Sequence, residues 1–109
     1  MELIQELNQK VNELNVSVRQ LRISGTAKAE AEKNYKIALR MATLKLRDAG
    51  YPVGIIDKLV YGEKEIADLR FKRDVAETVY TANLEAINSI KLQMRLIESQ
   101  ISREWGSAK

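Results

Sequence analysis

From Glu63 to Trp105 the chain runs without Gly or Pro and keeps a three-four alternation of apolar residues almost from end to end. Ile66, Leu69, Ala76, Tyr80, Ile87, Ile90, Met94, Ile97 and Ile101 fall on that beat, and Arg73 and Asn83 are its only polar members. Such spacing lines one face of an α-helix for a partner helix. At 1.5 Å per residue the helix would be roughly 60 Å long, more than a compact domain of this size can cover. A second long helix is therefore expected beside it. The first half supplies one: Ile4, Leu7, Val11, Leu14, Val18 and Leu21 repeat the alternation, and Tyr35, Leu39, Ala42 and Leu46 take it up again.

Between those two runs the beat falters, because continuing it places Gly25, Lys28 and Glu32 on the seam. Gly25 reads as a kink inside one helix, costing ~1 kcal/mol relative to Ala. The rival reading is a break, with Ser24 or Thr26 as a new N-cap. The stretch Asp48-Ala-Gly-Tyr-Pro-Val-Gly54 then turns the chain. Gly50 suits the left-handed position after a helix end, and Pro52 prevents the helix from resuming. Ile55 to Val60 has room for one short helix that caps the end, closed by Gly62. The expectation is a single all-α domain over residues 1–109: a long antiparallel, coiled-coil-like helical hairpin. Its parts are a helix over about 2–49, a turn and short helix over 50–62, and a helix over about 63–105. Leu46 should lie near Ile66, Leu21 near Ile90 and Leu14 near Ile97.

Further apolar positions lie off the seam. Ile37, Met41 and Leu44 form a stripe roughly opposite Tyr35, Leu39 and Leu46 at about 100° per residue, while Val75, Val79, Ala82 and Ala86 widen the later helix's face. A helix apolar on two sides is touched from two sides, so a homo-oligomeric helix bundle is expected. Leu7, Leu14, Leu21, Tyr80, Ile87, Ile90 and Ile97 are the positions assigned to the hairpin and oligomer seam.

Composition narrows the chemistry. The chain has 109 residues with 30% charged and 6% aromatic side chains, a profile of extended helices. It contains no Cys and no His. The usual zinc ligands, thiolate chemistry and the commonest neutral-pH proton shuttle are therefore lacking. Carboxylate pairs such as Glu30 and Glu32, or Glu63 and Glu65, lie two residues apart and point to different helix faces. No enzyme activity, catalytic residue, metal or cofactor is expected. No apolar run approaches the ~20 residues that span a bilayer, and no signal peptide pattern is visible, so a cytoplasmic protein without membrane contact is expected.

The net charge of +3 is compatible with nucleic acid without requiring it. Lys33, Lys36, Arg40, Lys45 and Arg47 on the first helix meet Arg70, Lys72 and Arg73 on the second towards the turn end. Tyr35, Tyr51, Tyr61, Phe71 and Tyr80 gather in the same half. A salt-bridged solvated surface accounts for such charges. Tyr with Arg or Lys is also the pairing that stacks bases and that dominates protein interfaces. The candidate partner-binding residues are Arg40, Arg47, Tyr51, Tyr61, Arg70 and Phe71, and the candidate anion-binding residues are Lys33, Lys36, Lys45, Lys72 and Arg73. Arg73 and Asn83 read as register devices, Arg73 alternatively as half of a salt bridge across the seam. A helix-turn-helix over Asp48 to Asp74 fits poorly, because Lys58 stands where a small residue should pack and Asp68 where an aliphatic should be buried.

The stretches Ala67-Asp-Leu-Arg-Phe-Lys-Arg-Asp-Val-Ala-Glu-Thr-Val-Tyr80 and Glu85 to Trp105, with Thr26-Ala-Lys-Ala-Glu-Ala-Glu-Lys33, resemble small helical proteins of bacteriophages and prophages of Gram-positive bacteria. The resemblance covers most of the chain and carries no functional motif. It implies a phage accessory protein in the host cytoplasm that binds a host or phage protein, with antagonists of host defence a common class. The expected function is a self-associating binding protein of this kind. The alternative is an oligomeric binder of single-stranded nucleic acid or a small nucleotide.

Overall fold

The structure, a computed structural model, describes residues 2–107. Met1, Ala108 and Lys109, the ends of the expected 1–109 domain, lie outside the described residues. Regular structure among the described residues is helical: α1 spans Glu2–Asp48, α2 Val53–Val60 and α3 Lys64–Ser107. α1 passes through Gly25 as unbroken helix. No described helix is long and apolar enough to cross a membrane.

The turn after α1 is closed by backbone geometry. Gly50 has φ +91°, the left-handed region that glycine adopts without a Cβ penalty. Its N–H donates to the Arg47 carbonyl at 3.0 Å, and the Tyr51 N–H donates to the Leu46 carbonyl at 3.2 Å. Together these are the paired bonds of a Schellman motif, which satisfy carbonyls left open at a helix end. Pro52 stands just before α2, and its carbonyl accepts from the Ile55 and Ile56 N–H groups. α2 is amphipathic. Ile56 and Val60, one turn apart, are buried, while Ile55 and Leu59, expected to share the capping role, remain exposed.

The chain divides into two compact units. Unit 1 comprises residues 1–23 and 80–109, and unit 2 comprises Ser24–Val79. In unit 2 the core is Tyr35, Val60 and Ile66, packed against Ala38, Leu39, Ala42, Leu46 and Leu69. The full burial of Val60 and of Ile66 contributes about 1.5–3 kcal/mol each relative to exposure. The helices run antiparallel, since Leu46 packs in the cluster with Ile66 while the Arg73 guanidinium lies over the Tyr35 ring.

In unit 1 the helices are again antiparallel. Leu14 shares a cleft with Met94 and Glu98, Ile90 shares one with Val16 and Ser17, and Asn83 reaches the Gln20 carbonyl. Ile90 therefore lies about one turn closer to the start of α1 than a pairing with Leu21 requires.

The inward face of α3 follows the sequence beat closely. Ile66, Leu69, Arg73, Ala76, Tyr80, Asn83, Ile87, Ile90, Met94, Ile97 and Ile101 are all buried or half-buried, and Gln93 is the only other described residue of α3 that is not exposed. α1 differs. Leu7, Leu14, Val18 and Leu21 are half-buried, but Ile4 and Val11 are exposed and Leu3, Lys10 and Ser17 turn inward instead. A straight α-helix drifts about 20° per heptad against a strict seven-residue repeat. Counted back from Tyr35, Ile4 is carried roughly 140° round the helix and Leu3 only about 40°. The interruption expected near Gly25 is absorbed the same way: Ser24 is buried, and Lys28 and Ala31 follow it on the inner face.

Candidate functional site

The two sides of unit 2 differ. With α1 and α3 antiparallel, positions turned to one side of the seam on α1 share that side with their counterparts on α3. One side carries Arg70 and Arg73. Arg70 lies over the Tyr61 ring with its Cζ 5.8 Å from the centroid, tying α3 to the residue that follows α2. Arg73 lies over Tyr35 at 4.6 Å, while its Nε and Nη2 donate to Asp74 at 3.1 and 2.9 Å. The hydrogen bond to Asp74 holds the guanidinium pKa above its already high ordinary value, so Arg73 is a cation at any working pH. Lys28, Glu32, Arg73 and Glu77 line a small cleft on this side.

The same side of α1 presents Lys33, Lys36, Arg40 and Arg47, all exposed. At about 100° per residue they lie within an arc of roughly 60° and along roughly 21 Å of helix. Lys36 pairs with Glu32 at 3.3 Å; Lys33, Arg40 and Arg47 have no ion-pair partner among the described residues. Tyr51 and Tyr61 are each about half exposed near the ends of α2.

The other side holds a groove of about 640 Å³ between α1 and the start of α3. Ala38, Ala42, Ile66 and Leu69 line it, and Ile37, Met41 and Leu44 rise along its α1 edge. Lys45 and Asp48 stand at one end with Glu63 and Glu65, and no residue of α2 takes part. Rotation along α3 turns Val75 and Val79 to this side, while Phe71, about 160° round the helix from Leu69 and Arg73, faces away from α1. All three are exposed, Phe71 at 68%.

The residues proposed from sequence are thus sorted into two groups. Arg40, Arg47, Tyr61 and Arg70 share the α2 side with Lys33 and Lys36, and Tyr51 sits in the connection before α2. Lys45 lines the groove and Lys72 turns towards it, whereas Phe71 faces away from α1. Arg73 is occupied by its own neighbour and by a ring across the seam, not by a carboxylate across the seam. Asn83 makes a long 3.5 Å contact to the Gln20 carbonyl, at the weak limit of a hydrogen bond. Among the seam positions, Ile87 is buried and Leu7, Leu14, Leu21, Tyr80, Ile90 and Ile97 are half-buried, all within unit 1.

Sequence reasoning did not reach the lining of the groove by Asn34, Ala38, Ala42 and Asp48, nor the meeting of Lys28 and Glu32 with Arg73 and Glu77. The Ile37, Met41 and Leu44 stripe was readable, but which side α2 covers depends on tertiary packing. No group of three or more carboxylates among the described residues is placed to hold a metal ion, and no buried side-chain polar atom there lacks a partner. Neither a family model, nor a curated protein, nor a solved structure matches this chain.

Proposed function

We propose that this chain is a non-enzymatic, self-associating helical protein that binds another protein through the α2 side of unit 2. The observation that carries the reading is the combination of exposed Tyr61 with Arg70 and the unpaired Arg40 and Arg47 on one side, with exposed Tyr51 in the connection before α2. Tyr and Arg are the residues that dominate interface energetics, because each combines large contact area with directional hydrogen bonding. A partner with an acidic, partly apolar surface fits this chemistry. The resemblance to phage accessory proteins makes a host protein the natural partner and antagonism of host defence the natural role.

A second reading is favoured by the basic edge of α1. Lys33, Lys36, Arg40 and Arg47 in line present a row of cations that suits phosphates, so single-stranded nucleic acid or a small nucleotide is the alternative ligand. Salt separates the two. Capture by the immobilised chain from nuclease-treated and untreated lysate of the host, followed by titration of salt, should give a protein retained after nuclease treatment with shallow salt dependence. Capture that vanishes with nuclease, or that weakens steeply with salt on a synthetic oligonucleotide, supports the alternative and overturns the first reading.

A further inference from the structure

We infer that the groove side of unit 2 is the surface through which two copies of this chain associate, face to face across a two-fold axis. The inference rests on the self-association proposed above and specifies its surface, its stoichiometry and its charge logic.

Three observations carry it. The first is area. Ile37, Met41 and Leu44 on α1 and Val75 and Val79 on α3 are each between 43% and 66% exposed. Ile37, Met41 and Leu44 line the groove beside Ala38, Ala42 and Leu69, and Val75 and Val79 follow on the same side of α3. The five side chains present on the order of 500 Å² of apolar surface, so that two copies would bury about 1,000 Å² from these residues alone, the threshold for a specific interface. The groove floor and the aliphatic stems of bordering lysines add to that figure.

The second observation is charge. The ionisable residues that the helix turn places on this side are Glu30, Lys45 and Asp48 on α1 and Lys64, Glu65, Asp68 and Lys72 on α3, with Glu63 ahead of α3 adding a fifth acid to three bases. Lys33 and Arg40, one turn from Ile37 and Leu44, bring the bases to five. Lys64 and Asp68 already neutralise each other at 2.7 Å. A border so close to neutral and of mixed sign selects neither a polyanion nor a strongly basic partner. It suits a surface that must meet itself, because an isologous contact brings each charge opposite a position of the same chain and a single-sign border would repel its own copy.

The third observation is contrast. The adjoining edge of α1, towards α2, is basic over Lys33, Lys36, Arg40 and Arg47. α2 inserts Val60 into the core with Tyr35 and Ile66 but contributes no lining to the groove. The α1–α3 pair in unit 2 therefore has one side furnished with a third helix and one side left as two helices and a furrow. A second pair laid into that furrow completes a four-helix layer, with the Ala38 and Ala42 positions allowing close approach.

The test is sedimentation equilibrium on the full chain, beside circular dichroism, for the wild type, Ile37→Glu/Met41→Glu, Val75→Lys and Leu92→Glu/Leu96→Glu. All substituted positions are exposed within the chain itself, so helix content should persist in every variant. The wild type should sediment at twice 12.4 kDa, or about 25 kDa. The α1 pair and Val75→Lys should each raise the dissociation constant at least about a hundredfold, because the two-fold places every change in the interface twice. The control pair in unit 1 should leave it unchanged. A wild-type monomer at 100-micromolar order concentration would overturn both this inference and the self-association it rests on. Dissociation by the unit 1 pair with none by Ile37→Glu/Met41→Glu and Val75→Lys would overturn this surface alone and leave self-association standing. A trimer or larger closed species would overturn the two-fold. If the double Glu variant loses helix, Val75→Lys on the other helix decides.

Discussion

Replacing Ile66 by Ala probes the packing of unit 2 at its most enclosed point. Ile66 is 2% exposed and packs with Tyr35, Val60, Leu39 and Leu46. The change removes three carbon atoms, worth about 2.4 kcal/mol at ~0.8 kcal/mol per buried methylene. A cavity penalty follows, limited because Ala38, Ala42 and Leu69 border the groove and can relax into the space. The expected loss is about 3–4 kcal/mol, within the range measured for such truncations. Leu92→Ala removes the same number of carbons from a side chain that is 52% exposed, so its cost should stay below about 1 kcal/mol. Urea denaturation followed by far-UV circular dichroism measures both, at one fixed protein concentration because association adds to apparent stability. In heat, the Ile66 variant should melt roughly 10–20 °C below the wild type. If Ile66→Ala and Leu92→Ala cost the same, Ile66 is not the packing centre, and the α1–α2–α3 arrangement of unit 2 is wrong.

Other expectations follow from the turn and the seam. Gly50→Ala should destabilise by about 1 kcal/mol: φ of +91° strains any Cβ-bearing residue, although open space surrounds the added atom. Differential scanning calorimetry reads the shift, and an unchanged melting temperature would refute the strained cap. A double-mutant cycle with Tyr35→Leu and Arg73→Met should return a coupling of about 0.5–1 kcal/mol from the cation over the ring. Additive single changes would show that Arg73 is held by Asp74 alone.

The chemistry of the two long helices was legible because a seam writes itself into sequence as an alternation of three and four. On α3 that alternation matches the burial pattern almost residue for residue, including the polar Arg73 and Asn83. On α1 the same rule misplaces Ile4 and Val11, because a strict seven-residue count ignores the slow rotation of a 3.6-residue helix. Ser24 shows the same limit: a small polar residue at an interior position carries no hydrophobic signal, yet it is the most enclosed residue in that part of α1.

The turn was readable for a local reason, since Gly50 and Pro52 act through backbone geometry alone. The division of unit 2 into a furnished side and a furrow was not readable. It depends on where α2 docks, and only Ile56 and Val60 of its five large aliphatics turn inward. The candidate binding residues were seen as one cluster at the turn because sequence distance does not reveal the direction in which Phe71 and Lys72 rotate away from Arg70.

The central claim is that α1 and α3 lie antiparallel against each other in a fixed register, and the absence of Cys makes that register directly measurable. A Gln20→Cys/Asn83→Cys variant, treated with a short bifunctional thiol reagent at high dilution, should link within one chain, since the Asn83 side chain reaches the Gln20 carbonyl. Gln20→Cys/Ser99→Cys, displaced by roughly 24 Å along α3, should not link. Linkage at 99 with none at 83, or linkage only between chains, would contradict the account.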